Sequence, residues 1–261
     1  MRSLFSFQLK KQMRLTLLFG FLMAAISVTL VILYDDESGR VLDELRAQAP
    51  GLFDAFRIHG SVGLLDHMIS LLYGFLMPTL GSLLAVILSS RLIPAQIETG
   101  ELTYYLTLPL RRYKLILVKA AVVVFCLMAP LFMNMLATVL AALMIKQQTF
   151  NVVWFLVLSL DTFLLWLMSA GMAMMIACSA QEQSRSKRLS LLVYSSLFII
   201  SMLGQVKSFP NFIKYFSMYT LWNTQTLSAG RILTSSLIMP FIGGIFLAIG
   251  IYQFSTRDLP L

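Results

Sequence analysis

Two polar side chains stand deep inside apolar runs of this chain: Asp161 in LVLSLDTFLLWLM and Asn134 in PLFMNMLATVL. A carboxylate among leucine, phenylalanine and methionine is expensive in hydrocarbon, so Asp161 is expected to face protein or water, not lipid. In one reading Asp161 and Asn134 form an intramembrane polar site on a substrate or proton path. In the other, which is favoured, Asp161 makes a packing hydrogen bond with Ser159, Thr162 or Asn134. A lone buried acid with no second acid or nucleophile beside it is a poor catalyst. Other reactive groups are sparse. Cys126 and Cys178 lie within apolar runs and read as small buried hydrophobes. His59 and His67 flank a loop segment, and His67 beside Asp66 reads as an interfacial polar pair, not a metal site.

The densest polar cluster is IETGELTYYLTLPLRRYKLILVK, residues 97–119, between two apolar runs. Thr99-Gly100 permits a chain break, with glycine supplying a backbone angle or a close approach that larger residues resist. Glu101 favours the first turn of a short helix beyond it. That helix is expected to run to about Leu108, because the residue before Pro109 is pushed out of helical geometry. Pro109 suits the first turn of the next helix. Arg111, Arg112 and Lys114 then fall near the positive end of that helix and require negative compensation from lipid phosphates or from Glu98 and Glu101. Glu98 is placed to face a cation, either Arg112 or a basic residue on a partner.

These groups need elements to hold them, and composition says which. The chain has 261 residues, 58% hydrophobic and 12% charged, against about 25% charged in soluble domains. At least six runs reach the roughly 18 apolar residues that mark a bilayer span. Spans are expected at about 15–34, 67–92, 115–145, 150–178, 189–206 and 232–254, in one transmembrane domain covering 1–261. Residues 1–14 lack a small-residue cleavage site, so the first run is expected to stay as a span. Phe5, Leu9 and Met13 give residues 2–14 an amphipathic character suited to the membrane interface. Residues 35–66 are expected to be an external loop, and 94–114 a cytoplasmic segment. Residues 207–231, rich in aromatics, are expected to be external or re-entrant. The short turn at 146–149 makes spans three and four a hairpin. Most Lys and Arg fall on one side, which puts both termini in the cytoplasm of a multi-pass cell-membrane protein. The net charge of +8 thus reads as headgroup anchoring, not nucleic-acid binding. There is no G-x-x-x-x-G-K-[ST] phosphate loop, no H-E-x-x-H and no G-x-S-x-G, so no enzyme activity or nucleotide hydrolysis is expected of this chain.

The cluster at 97–119 resembles the cytoplasmic signature of ABC-2 type transporter permeases. In that signature an acid and a glycine precede a leucine-rich turn, a proline, an arginine and a later lysine. Here these are Glu98, Gly100, Leu106, Pro109, Arg112 and Lys119. The amphipathic start, the six spans, the aromatic segment KYFSMY (Lys214–Tyr219) and the end FSTRDL (Phe254–Leu259) are also similar to the family, although Met218 stands where proline is usual. The resemblance implies an all-α permease whose short helix couples it to two separate ATPase subunits. Those subunits bind ATP and Mg, and a second copy or a related permease completes the complex. The implied function is export of a hydrophobic or amphipathic compound such as a drug, an antimicrobial peptide or a lipid-like molecule. The alternative is a non-transporting membrane anchor or assembly subunit of an ABC-type complex.

Overall fold

A computed structural model of the chain describes residues 2–34, 44, 47–51, 64, 68–106, 112–145, 150–204, 217–222 and 234–256. Every regular element among them is helical: α1 Arg2–Ile32, a π-helical stretch Ile69–Leu76 running into α2 Met77–Leu92, α3 Pro94–Glu98, α4 Glu101–Leu106, α5 Arg112–Met144, α6 Val152–Ser179, α7 Gln183–Leu203, a 3₁₀ turn Met218–Leu221 and α8 Thr234–Thr256. Six helices are long and apolar enough to cross a membrane, at Ser3–Ile32, Ile69–Glu98, Arg112–Met144, Val152–Ser179, Gln183–Leu203 and Leu237–Thr256. The chain is a multi-pass membrane protein, with the six expected spans found among the described residues.

Residues 2–14 are not a separate element. α1 runs unbroken from Arg2 to Ile32, because nothing between Arg14 and Leu15 interrupts helical geometry. Phe5 and Leu9 pack partly buried against the core, and polar residues turn inward beside them. Gln8, Gln12 and Thr16 are buried, each four residues from the last, while Met13 is 47% exposed. Side chains four apart share a helix face, and here the inward face begins polar and becomes apolar further on, at Phe19 and Met23.

The second span opens as a π-helix because Pro78 removes an amide from the ladder. The Met77 amide reaches back to the Leu72 carbonyl. The carbonyls near this bulge find side-chain donors: Trp222 Nε1 on Tyr73 (3.3 Å), Thr79 Oγ1 on Phe75 (2.7 Å) and Trp166 Nε1 on Met77 (3.0 Å). The Trp166 ring lies flat on Gly81, where a Cβ would come within 2.0 Å of it. Tyr219 and Trp222 of the aromatic segment are buried in the bundle, so the described part of 207–231 packs between spans.

α6 and α8 approach each other closely. A Cβ on Gly171 would meet the Gly243 carbonyl oxygen at 2.1 Å, and one on Gly250 would meet the Met175 backbone at 2.9 Å. The paired numbers rise together along both helices, so the two run parallel. Small residues permit this approach between spans that have no hydrophobic drive to associate in lipid. α6 starts at Asn151, whose side chain accepts from the amides of Val153 (3.1 Å) and Trp154 (3.3 Å), a cap worth about 1 kcal/mol. Cys126 and Cys178 are both buried and not joined in a disulfide. The turn at 146–149, His59, His67 and nearly all of 35–66 lie outside the described residues.

Candidate functional site

The cluster expected at 97–119 is built as a helix, a break and a helix. α2 ends at Leu92 and Ile93 turns the chain. α3 opens on Pro94, where a missing amide costs nothing. At Gly100 the backbone takes φ +74°, and no atom lies within 4 Å of where its Cβ would be. The glycine is therefore needed for its angle, not for a close neighbour. That left-handed angle costs a non-glycine residue about 1–2 kcal/mol. Glu101 then stands in the first turn of α4, where its charge matches the helix dipole. Leu106 is the last residue of α4. The expected extension to Leu108, and Pro109 itself, lie outside the described residues. α5 begins at Arg112.

The two acids face partners that their spacing did not indicate. Glu101 pairs with Lys11 of α1 at 2.9 Å, both about half exposed. Glu98 Oε2 accepts from the backbone amide of Gln183 at 3.0 Å. Gln183 is the first residue of α7, whose own preceding residue, Glu182, makes no side-chain cap. Glu98 thus supplies the anion for the positive end of the fifth span from a distant part of the chain. Beneath these surface contacts Gln96 Nε2 donates to Gln8 Oε1 (3.0 Å), and Lys119 Nζ reaches Gln96 Oε1 (2.7 Å). The short helices are therefore tied to α1, α5 and α7 at once, at the end of the bundle where the second span finishes. The start of α1 and the end of α8 lie on the same side, because α8 runs parallel to α6 and α6 ends beside the start of α7.

Deeper in the bundle a second polar group joins four spans. Ser27 Oγ of α1 donates to Asn134 Oδ1 of α5 at 2.5 Å, Asn134 Nδ2 donates to Tyr73 Oη at 3.3 Å, and Tyr73 Oη lies 3.2 Å from Ser159 Oγ of α6. All four are buried. Asn134 and Ser159 are thus brought together, through a tyrosine that sequence reading passed over. Asp161, 2% exposed, stands two residues beyond Ser159, about 200° round the helix, so the two point to different faces. Thr162 Oγ1 donates to the Leu158 carbonyl at 2.8 Å.

A cavity of about 250 Å³ opens between the second span, α7 and the 3₁₀ turn, with Phe75, Leu83, Val86, Leu191 and Phe198 on its apolar walls. One edge is hydroxylic. Ser82 Oγ lies 3.0 Å from both Tyr219 Oη and Ser169 Oγ, and Tyr194 Oη donates to the Ser169 carbonyl. An apolar pocket with a few convergent polar groups is the ordinary form of a small-molecule site. Its residues were missed because serines and tyrosines scattered through apolar runs carry no spacing signal until the spans are packed.

No protein-family model matches this chain, and no curated protein matches it either.

Proposed function

We propose that this chain is the transmembrane subunit of an ABC-2 type transporter, exporting a hydrophobic or amphipathic compound with power from separate ATPase subunits. The observation that carries the reading is the helix–break–helix at 94–106. It is a compact, mostly polar element, turned at a left-handed glycine, and bonded through Glu101 to α1, through Gln96 to α1 and α5, and through Glu98 to α7. A partner pressing on it meets three spans, which is what a coupling contact requires. The side bearing it is cytoplasmic in this reading, in keeping with the basic residues Lys10, Lys11, Arg14, Lys114, Lys187 and Arg188 at that end. The apolar cavity with its hydroxyl edge supports a cargo of apolar body and few polar groups. ATP and Mg belong to the partner, and two permeases complete the complex.

The test is co-expression with an ATP-binding-cassette ATPase, if the neighbouring reading frame encodes one, followed by purification in nanodiscs. A subunit with a phosphate loop should co-purify and hydrolyse ATP. Gly100→Val and Glu98→Lys should insert normally yet lose docking, or leave hydrolysis uncoupled from transport. Undiminished docking and fully coupled transport in both variants would remove the coupling role.

A further inference from the structure

The break between α2 and α3 leaves a buried carbonyl that the backbone does not satisfy. In a continuing helix the Leu92 carbonyl would accept from the Gln96 amide. Here that amide turns instead to Ile93, at 3.1 Å, and the Ile97 amide shares the same acceptor. Leu92 is fully buried, so no water replaces the lost donor. Lys119 of α5 does: its Nζ donates to the Leu92 carbonyl at 2.5 Å and to Gln96 Oε1 at 2.7 Å, and Gln96 passes a bond on to Gln8. Lys119 and Gln8 are 0% exposed and Gln96 is 2% exposed.

We infer that Lys119 is the positioning residue of this break, substituting for the missing amide and thereby fixing the direction in which α3 and α4 leave the second span. The chemistry favours lysine for three reasons. Its ammonium carries three donors on one atom, so it serves a carbonyl on one element and a side chain on the next. Its long stem crosses the gap from α5 without distorting either helix. Its charge meets the negative pole of α2, which offsets part of the cost of burying a cation. No ordinary packing need calls for a fully buried ammonium where methionine would fill the same volume. The inference stands on break geometry alone. Only its further consequence, that Lys119 sets the posture of the ATPase contact, rests on the reading of the preceding section.

The experiment uses the full permease in nanodiscs without any ATPase, so its outcome is independent of that reading. Nitroxides are placed at Tyr104→Cys on α4 and Tyr252→Cys on α8, both well exposed, with Cys126 and Cys178 replaced by alanine. A second pair at Met128→Cys and Leu160→Cys reports the spans. The parent should give a single sharp distance for each pair. Lys119→Met should abolish the sharp 104–252 distance and leave the 128–160 distance in place. Gln96→Leu, which keeps the Leu92 bond, should broaden the first pair to a lesser degree. An unchanged 104–252 distance in folded Lys119→Met overturns the inference. So does equal broadening of both pairs, which marks a general stabiliser. Should Lys119→Met not fold, Gln96→Leu decides alone: selective broadening supports the assignment and an unchanged distance rejects it.

Discussion

Gly171→Ala should destabilise the bundle while Gly244→Ala, in the facing helix, should not. The two substitutions add the same methyl group to a transmembrane helix, and by helix propensity alone each would gain up to about 1 kcal/mol. Their surroundings differ. On Gly171 the new carbon would sit 2.1 Å from the Gly243 carbonyl oxygen and 2.7 Å from its carbon. That neighbour is backbone within α8, so no rotamer change clears it and the helices must part by on the order of 1 Å. Overpacking of this kind costs about 1–3 kcal/mol, which leaves a net loss of roughly 0–2 kcal/mol once the full propensity gain is set against it. On Gly244 nothing lies within 4 Å, so the propensity gain stands unopposed. Thermal unfolding in nanodiscs reads the difference, with 1 kcal/mol corresponding to roughly 2–4 °C for a protein of this size class. A melting temperature for Gly171→Ala above that of the parent would refute the close contact of α6 with α8.

Gly100→Asn should be tolerated better than Gly100→Val, since asparagine accepts left-handed geometry and a branched side chain does not; protease nicking at 94–106 checks the order. Removing Ser27 and Asn134 singly and together should give a coupling energy near the roughly 0.6 kcal/mol average for hydrogen bonds within membranes, whereas two unrelated sites would add simply. Exchanging the charges of Lys11 and Glu101 should restore most of the stability lost in either single reversal. The recovery should be about 0.2–1 kcal/mol for so exposed a pair, and should vanish in high salt. Asp161→Asn should keep insertion and shift thermal stability modestly if the carboxyl only packs; a selective loss of transport would instead place it on a cargo route.

The six spans were legible because run length is a property of sequence alone, and the break at Gly100 because glycine and a following acid announce a helix end and a helix start. The partners of the acids were not. Glu98 reads naturally as a counter-ion for Arg112, yet it reaches the amide of Gln183, and a backbone amide at a helix start has no letter in the sequence. The Leu92 carbonyl that holds Lys119 is equally silent. The amphipathic pattern of Phe5, Leu9 and Met13 suggests a separate interfacial segment over 2–14, although helical periodicity runs through Arg14 without change. Gln8 and Gln12 read as surface residues, yet both are buried once α1 is packed into the bundle. The fifth span begins at Gln183, not at Leu189, because basic residues extend a helix past the apolar run as readily as any others.

The unbroken course of α1 has a mechanical consequence. Lys11 and Ser27 sit on one rod, about 24 Å apart along its axis at roughly 1.5 Å per residue. One end is clamped to Glu101 and the other to Asn134. Two helices joined at a hinge near Arg14 would absorb a push as a change of angle between them. A single helix has little compliance of that kind, so a displacement of α4 arrives at the buried Asn134–Tyr73–Ser159 group as tilt or axial slip. Leverage then depends on stiffness midway, at positions such as Leu17 and Leu18 that touch neither clamp, and a proline inserted there would leave both ends bonded while severing the transmission between them.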